Sequence, residues 1–346
     1  MKKGIIIYLF FVLLLALCMQ GCKPGVSVNN GLVAPAGVAV EKVAIDTMNL
    51  ANPFVIYDDV KDIYYMTGDG GYLWRSSDMH VWEGPYDILR PAKESWIGAD
   101  AVATSPEIHK YKGRYYYMAA FTRPDVVIDT IAGKPVYRTA CEIFVSDEIT
   151  GPYEQLTGET PLLAPDYMAV HPTFCEDELN VGYLIYNYAA EQSGNATVQI
   201  IRLGKKLDIQ IGEPYIMFRA SQNVWSSAVA EDSKKSYSPV MQAPFMFDTR
   251  GGELGILFDT TIDGESAIGV AYTEKDHGLN GPWHIEPTPL LTGNVGGPML
   301  FKDYDGTLVM ALHKDTIVDG IKKSIPQFMK MDSQFDKLKV KGHYKF

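Results

Sequence analysis

The sequence predicts an all-β fold, a five-bladed β-propeller with four antiparallel strands per blade. Three observations predict it. Apolar runs are short, about four to eight residues, β-branched or aromatic and bounded by Gly, Pro, Asn or Asp, with almost no helical periodicity. One pattern recurs at Pro53, Pro106, Pro172, Pro244 and Pro298, roughly 55 to 70 residues apart, a period that suits propeller blades. Three of the intervals carry the same turn: Gly84-Pro85-Tyr86, Gly151-Pro152-Tyr153 and Gly281-Pro282-Trp283. A two-sheet sandwich would fit the strand content but not the period.

The chain begins with a segment that stands outside this pattern. Lys2 and Lys3 precede an apolar run from Ile5 to Leu17, too short to span a bilayer comfortably and flanked as a secretory signal is. It ends in Met19-Gln20-Gly21-Cys22, which resembles the cleavage box of bacterial lipoproteins. That resemblance implies residues 1–22 as a leader, lipidation at Cys22, and an exported protein anchored to the bacterial outer membrane. Residues 23–45 are then expected as a flexible tether and 46–346 as the propeller domain.

Each blade opens with a residue beside a proline, crosses a polar turn and returns as an apolar strand. Asn52-Pro53-Phe54 leads to Asp62-Ile63-Tyr64-Tyr65-Met66 in the first blade. The second is the most complete: Thr104-Ser105-Pro106-Glu107-Ile108-His109-Lys110-Tyr111 turns at Lys112-Gly113 into Arg114-Tyr115-Tyr116-Tyr117-Met118. His171-Pro172-Thr173-Phe174, Ala243-Pro244-Phe245-Met246 and Gly297-Pro298-Met299-Leu300 open the remaining three.

Composition narrows the function. With 346 residues and 47% apolar content the chain can bury a large core. Its net charge of −11 and the absence of a basic stripe argue against nucleic acid as a partner. Outside the leader only Cys141 and Cys175 remain, neither a disulfide framework nor a zinc spacing, so both read as buried apolar residues. No phosphate loop, metal-binding histidine pair or serine-nucleophile motif is present.

In a propeller the innermost strand of every blade runs along the central channel, so its opening residues gather at one end. Asn52, Glu107, His171, Gln242 and Gly297 fall at or within one residue of equivalent positions and are expected to face one pocket. Trp96 and Trp225, in loops before the second and fourth blades, are expected to roof it with their aromatic faces. Arg219 and His313 are further candidates for its lining. Trp82 and Trp283, in or beside the repeated turns, read as core. Asp100 and the Glu231-Asp232 pair read as loop carboxylates.

The Asn-Pro-Phe opening, the Pro-Glu-Ile-His-Lys-Tyr-Lys-Gly-Arg-Tyr-Tyr-Tyr segment, Gln242-Ala243-Pro244, the Gly-Pro-aromatic turns and the closing Gly-Gly-Pro-Met-Leu-Phe stretch resemble glycoside hydrolase family 43. The likeness runs from about Leu50 to His313. It implies a five-bladed propeller that cleaves arabinose-, xylose- or galactose-containing oligosaccharides or polysaccharides with inversion, requires no cofactor, and leaves room for a structural calcium ion in the channel. It places the general base at Asn52, the general acid at Gln242, a tuning carboxylate at Glu107 and a last-blade histidine at Gly297.

Only Glu107 keeps a carboxylate among those positions. Asn and Gln retain the shape of Asp and Glu without a proton to transfer near neutral pH, whereas inverting hydrolysis calls for two carboxyl groups. His171 is the candidate substitute, since a neighbouring family of five-bladed glycosidases, family 117, uses histidine as its acid; the other reading is that it hydrogen-bonds a sugar hydroxyl or a neighbouring blade. The other readings are a lipoprotein that binds glycans without cleaving them and a propeller serving only as a protein-interaction platform.

Overall fold

The computed structural model describes residues 32–131, 133–163, 168–226, 240–332 and 337–346. The leader with Cys22, the first part of the expected tether, and Glu231 and Asp232 lie outside the described residues.

Five sheets form the five blades, antiparallel except where Leu89–Arg90 adds to Tyr153–Gln155 in parallel as a fifth strand of blade two. Their innermost strands are Phe54–Asp58, Val102–Tyr111, Ala169–Glu176, Gln242–Asp248 and Val295–Lys302. The second strands, paired to these, are Ile63–Thr67, Arg114–Ile131, Gly182–Tyr188, Leu254–Ile262 and Leu308–Val318. Each innermost strand touches the next around the ring, and the last returns to the first. The expected fold is therefore the observed one.

Local chemistry explains the hairpins. Lys112-Gly113, Asp263-Gly264 and Asp319-Gly320 all have both residues at positive φ, the two-residue turn whose twist matches that of the strands it joins. The second strand of blade two is buried without interruption from Tyr116 to Phe121, because its sheet is covered by a neighbouring blade on each face. Aromatic rings fill the space between sheets, among them Tyr117, Phe144 and Tyr153 in blade two and Phe218 and Phe258 between blades three and four. Each such ring contributes roughly 1.5–3 kcal/mol by leaving water.

Trp82 and Trp283 are core residues, as expected, and Cys141 and Cys175 are buried and unpaired. The tether boundary moves. Glu41–Ala44 pairs antiparallel with the Val81–Tyr86 strand as a fifth, outer strand of blade one, and Val33 bridges to Asp87.

Among the described residues no strand is shared between the last blade and the first, and polar contacts stitch that seam. Leu50 donates its N–H to the Ser324 carbonyl at 2.8 Å, Ser324 donates to Asn49 Oδ1 at 2.9 Å, and Tyr304 donates to Tyr64 Oη at 3.0 Å.

Candidate functional site

Five residues sit immediately before the five repeated prolines: Asn52, Ser105, His171, Ala243 and Gly297. All are left-handed, with φ of 50, 46, 50, 47 and 59°. Proline disfavours helical geometry in the residue before it and supplies no N–H to a ladder. The chain answers with a bulge: pairing breaks between Thr104 and Glu107, Val170 and Thr173, Gln242 and Phe245, and Gly296 and Met299. The result is a collar of five pre-proline residues and five prolines around a narrow channel.

The collar corrects the expected alignment. Ser105 and Ala243, not Glu107 and Gln242, are the equivalents of Asn52, His171 and Gly297. Glu107 lies two residues further along its strand, about 6–7 Å deeper in the channel. It is 8% exposed and its Oε2 meets His109 Nε2 at 2.6 Å. Burial raises its carboxyl above the usual range against the pull of His109. It lines the channel and not the cleft above.

That cleft, of about 490 Å³, opens at the other end of the collar. Asn52, His171 and Gln242 line it, as does His313. So does a second ring of polar groups that the search along the strand openings passed over. Asp259 pairs with Gln242 in register, Asn187 with Val170 and His313 with Gly296, while the Asp69 N–H donates to the Ala51 carbonyl at 2.9 Å. Each belongs to, or closely follows, the second strand of its blade. Their signal was a lone polar residue within or just after an otherwise apolar run, as in Leu254-Gly255-Ile256-Leu257-Phe258-Asp259.

Hydrogen bonds connect the two rings. Asn52 Nδ2 donates to Asp69 Oδ1 at 2.9 Å, and the Ser105 N–H donates to the same oxygen at 2.8 Å. His313 Nδ1 accepts the Asn52 N–H at 3.1 Å, which leaves the proton on Nε2. His171 Nε2 lies 3.1 Å from Gln242 Oε1; an amide oxygen only accepts, so Nε2 carries the proton and Nδ1 accepts from the Ser105 hydroxyl. Asp259 Oδ2 accepts the Gly297 N–H at 3.3 Å, while its buried Oδ1 has no hydrogen-bond partner among the described residues. Asp315 is held by Lys322 Nζ at 2.8 Å and Ser324 Oγ at 2.6 Å.

The electrostatics follow from burial. It pushes the Asp259 carboxyl up to about 7, and the nearby charges of Asp315 and Asp69 add to the effect. It raises Asp69 as well, against the two donors on its Oδ1. Burial acts on Asp315 too, but the bonds from Lys322 and Ser324 prevail and hold it below the usual carboxylate value. Both His171 and His313 are pushed down to about 4 by burial and are neutral at pH 7. A neutral His171 engaged on both nitrogens is poorly placed to protonate a leaving group, contrary to its expected role.

Three residues expected at the pocket lie elsewhere. Trp96 is 4% exposed, donates its Nε1–H to Glu142 Oε2 at 2.7 Å and packs edge-on to Phe121. Trp225 donates to the Glu286 carbonyl at 2.8 Å and stacks on Phe258. Arg219 ends the Gln210–Arg219 strand, outermost in blade three and exposed. Three strand spacings, roughly 14 Å, separate such a position from the innermost strand.

Calcium takes about six to eight oxygen ligands. The collar region offers the Glu107 carboxylate, already bonded to His109, the Ser105 hydroxyl, the Asn52 amide and the His171 imidazole among prolines and apolar groups, a set with one carboxylate and fewer side-chain oxygens than the ion takes. Among the described residues no group of three or more His, Cys, Asp or Glu is arranged to hold a metal.

Solved structures share this architecture. The endo-arabinase from Bacteroides thetaiotaomicron VPI-5482 superposes with a TM-score of 0.71 at 24% identity, covering 85% of this chain and 98% of that one. An endo-1,4-β-xylanase from the same strain gives 0.65 at 15%, covering 88% and 97%. The Cellvibrio cellulosa α-L-arabinanase complexed with arabinohexaose gives 0.60 at 12%, covering 85% and 95%. No curated protein matches the sequence. At these identities the structures establish the fold, and membership comes from the sequence, which matches the glycosyl hydrolases family 43 over residues 44–316. The match takes in nearly all of the first four blades and the two inner strands of the fifth, and the chain belongs to glycosyl hydrolases family 43.

Proposed function

We propose that this protein hydrolyses O-glycosidic bonds in arabinose-containing oligosaccharides and polysaccharides, with inversion at the anomeric carbon. The observation that carries the reading is the cleft at the channel mouth of a family 43 propeller, about 490 Å³ in volume and lined by carboxylates, amides and imidazoles. Such a lining matches the hydroxyl-rich surface of a sugar, and Asp69 and Asp259 are the carboxyl groups in it that, among the described residues, no cation neutralises. Arabinose is favoured over xylose and galactose because arabinanases recur among the structural neighbours.

The leader ending at Gly21-Cys22 supports an exported enzyme held to the outer membrane by a lipid, which would keep it beside polymeric substrates too large to be imported. Incubation with arabino-, xylo- and galacto-oligosaccharides, followed by product separation and proton NMR of the first-formed anomer, tests the reaction. Release of arabinose or short arabino-oligosaccharides with inverted configuration is expected. Retained configuration, or turnover confined to another sugar, would overturn the corresponding part.

A further inference from the structure

We propose that proton transfer in this cleft has moved outward by one strand, with Asp259 as the proton donor and Asp69 as the proton acceptor. The inference rests on the hydrolase reading above and deepens it. The first-strand residues at the cleft floor, Asn52 and Gln242, are amides, which neither give nor take a proton near neutral pH. Beside each stands a carboxylate of the second ring. Asn52 donates directly to Asp69, and Gln242 is the register partner of Asp259.

The cleft contains a third carboxylate, Asp315, but Lys322 and Ser324 occupy it. Its two histidines are each already engaged through a ring nitrogen, His171 with Ser105 and Gln242, His313 with Asn52. Asp69 and Asp259 remain.

The donors around them decide which does what. Two N–H groups converge on Asp69 Oδ1, an arrangement that favours the ionised form a base requires. Asp259 has only the longer Gly297 bond at 3.3 Å, its own backbone N–H and, among the described residues, a buried Oδ1 with no hydrogen-bond partner, an arrangement that favours the protonated form an acid requires. The groups around it add to the contrast: the nearby carboxyls of Asp315 and Asp69 push it further up, Lys322 is bound to Asp315, and His313 and His171 are neutral. Burial has already moved the Asp259 carboxyl toward neutrality, where an acid serves best.

The step balances. The Asp259 proton passes to the glycosidic oxygen as its bond to the anomeric carbon breaks, and the alcohol leaves. A water on the opposite face forms the new bond and gives its proton to Asp69. Exchange with solvent resets both carboxyls.

The test uses two substrates, arabinotriose and 2,4-dinitrophenyl α-L-arabinofuranoside, whose leaving group departs without protonation. Asp259→Asn is expected to lower kcat on arabinotriose by about 10²–10⁴-fold while sparing the aryl glycoside to within about tenfold. The basic limb of the pH profile should disappear with it. Asp69→Asn is expected to lower kcat on both, and azide, a nucleophile that needs no deprotonation, should restore turnover with a glycosyl azide as product. If wild type turns over and Asp259→Asn keeps its activity on arabinotriose, or loses both substrates equally, the assignment alone falls. If wild type binds the sugars by calorimetry and cleaves none, the hydrolase reading and the assignment fall together.

Discussion

His313 Nδ1 accepts the backbone N–H of Asn52 at 3.1 Å, tying the second strand of the last blade to the collar residue of the first. This bond crosses the seam between those two blades, so the geometry of the cleft and the closure of the ring depend on the same contact.

Gly296 and Gly297 make that approach possible. A Cβ on Gly297 would lie 2.5 Å from Asn52 Oδ1 and 3.1 Å from His313 Nδ1, and the residue's φ is +59°; a Cβ on Gly296 would lie 2.8 Å from Asp259 Oδ2. Gly297→Ala is expected to cost about 1–3 kcal/mol of stability. It should also reduce kcat/KM about tenfold or more, since the displaced Asn52 carries Asp69 with it. Thermal unfolding and kinetics on arabinotriose check this; an alanine variant with wild-type values for both would refute the seam argument.

Stability should depend on the two cleft histidines. His171 and His313 titrate at about 4 in the folded protein, against about 6.5 in an unfolded chain. Their neutral forms are the folded ones, so the contribution is complete above about pH 6.5 and drains away as pH falls toward 4. Each accounts for roughly 3 kcal/mol across that window. Urea unfolding at pH 7.5 and 4.5 should show a deficit for His313→Gln that narrows at the lower pH. A deficit of constant size would count against it.

Trp96 and Glu107 are expected to matter for folding and little for sugar. Trp96→Phe removes one of the donors to the buried Glu142 carboxylate, which also accepts from Gln155 Nε2 at 2.9 Å, and should cost about 1–3 kcal/mol. Glu107→Gln loosens its bond to His109 below the collar. In both variants KM for arabino-oligosaccharides should stay within about twofold of wild type. A tenfold rise in KM for either would return that residue to the sugar site.

Much of the architecture was legible along the chain because its signals are local. Proline spacing, glycine turns such as Lys112-Gly113 and runs of Tyr and Val report strand starts and hairpins without reference to anything distant. The site was half legible. Asn52, His171, Gln242 and His313 reach the cleft, whereas Asp69, Asp259 and Asp315 were overlooked and Trp96, Trp225 and Arg219 point elsewhere. The mark that polar residues beyond the strand openings carry, a lone polar side chain within or just after an apolar run, does not by itself tell a cleft lining from the start of a solvated loop.

The order of residues alone determined that five proline-led strands would form five blades, and that amides would stand at Asn52 and Gln242. Depth and direction were left to the tertiary structure. A shift of one residue along a strand reverses the face its side chain meets, and a shift of two lowers it by a further step along the channel. Only the bulges at the prolines and the closed ring set that register, placing Ser105 in the collar, Glu107 beneath it and Asp259 in the cleft.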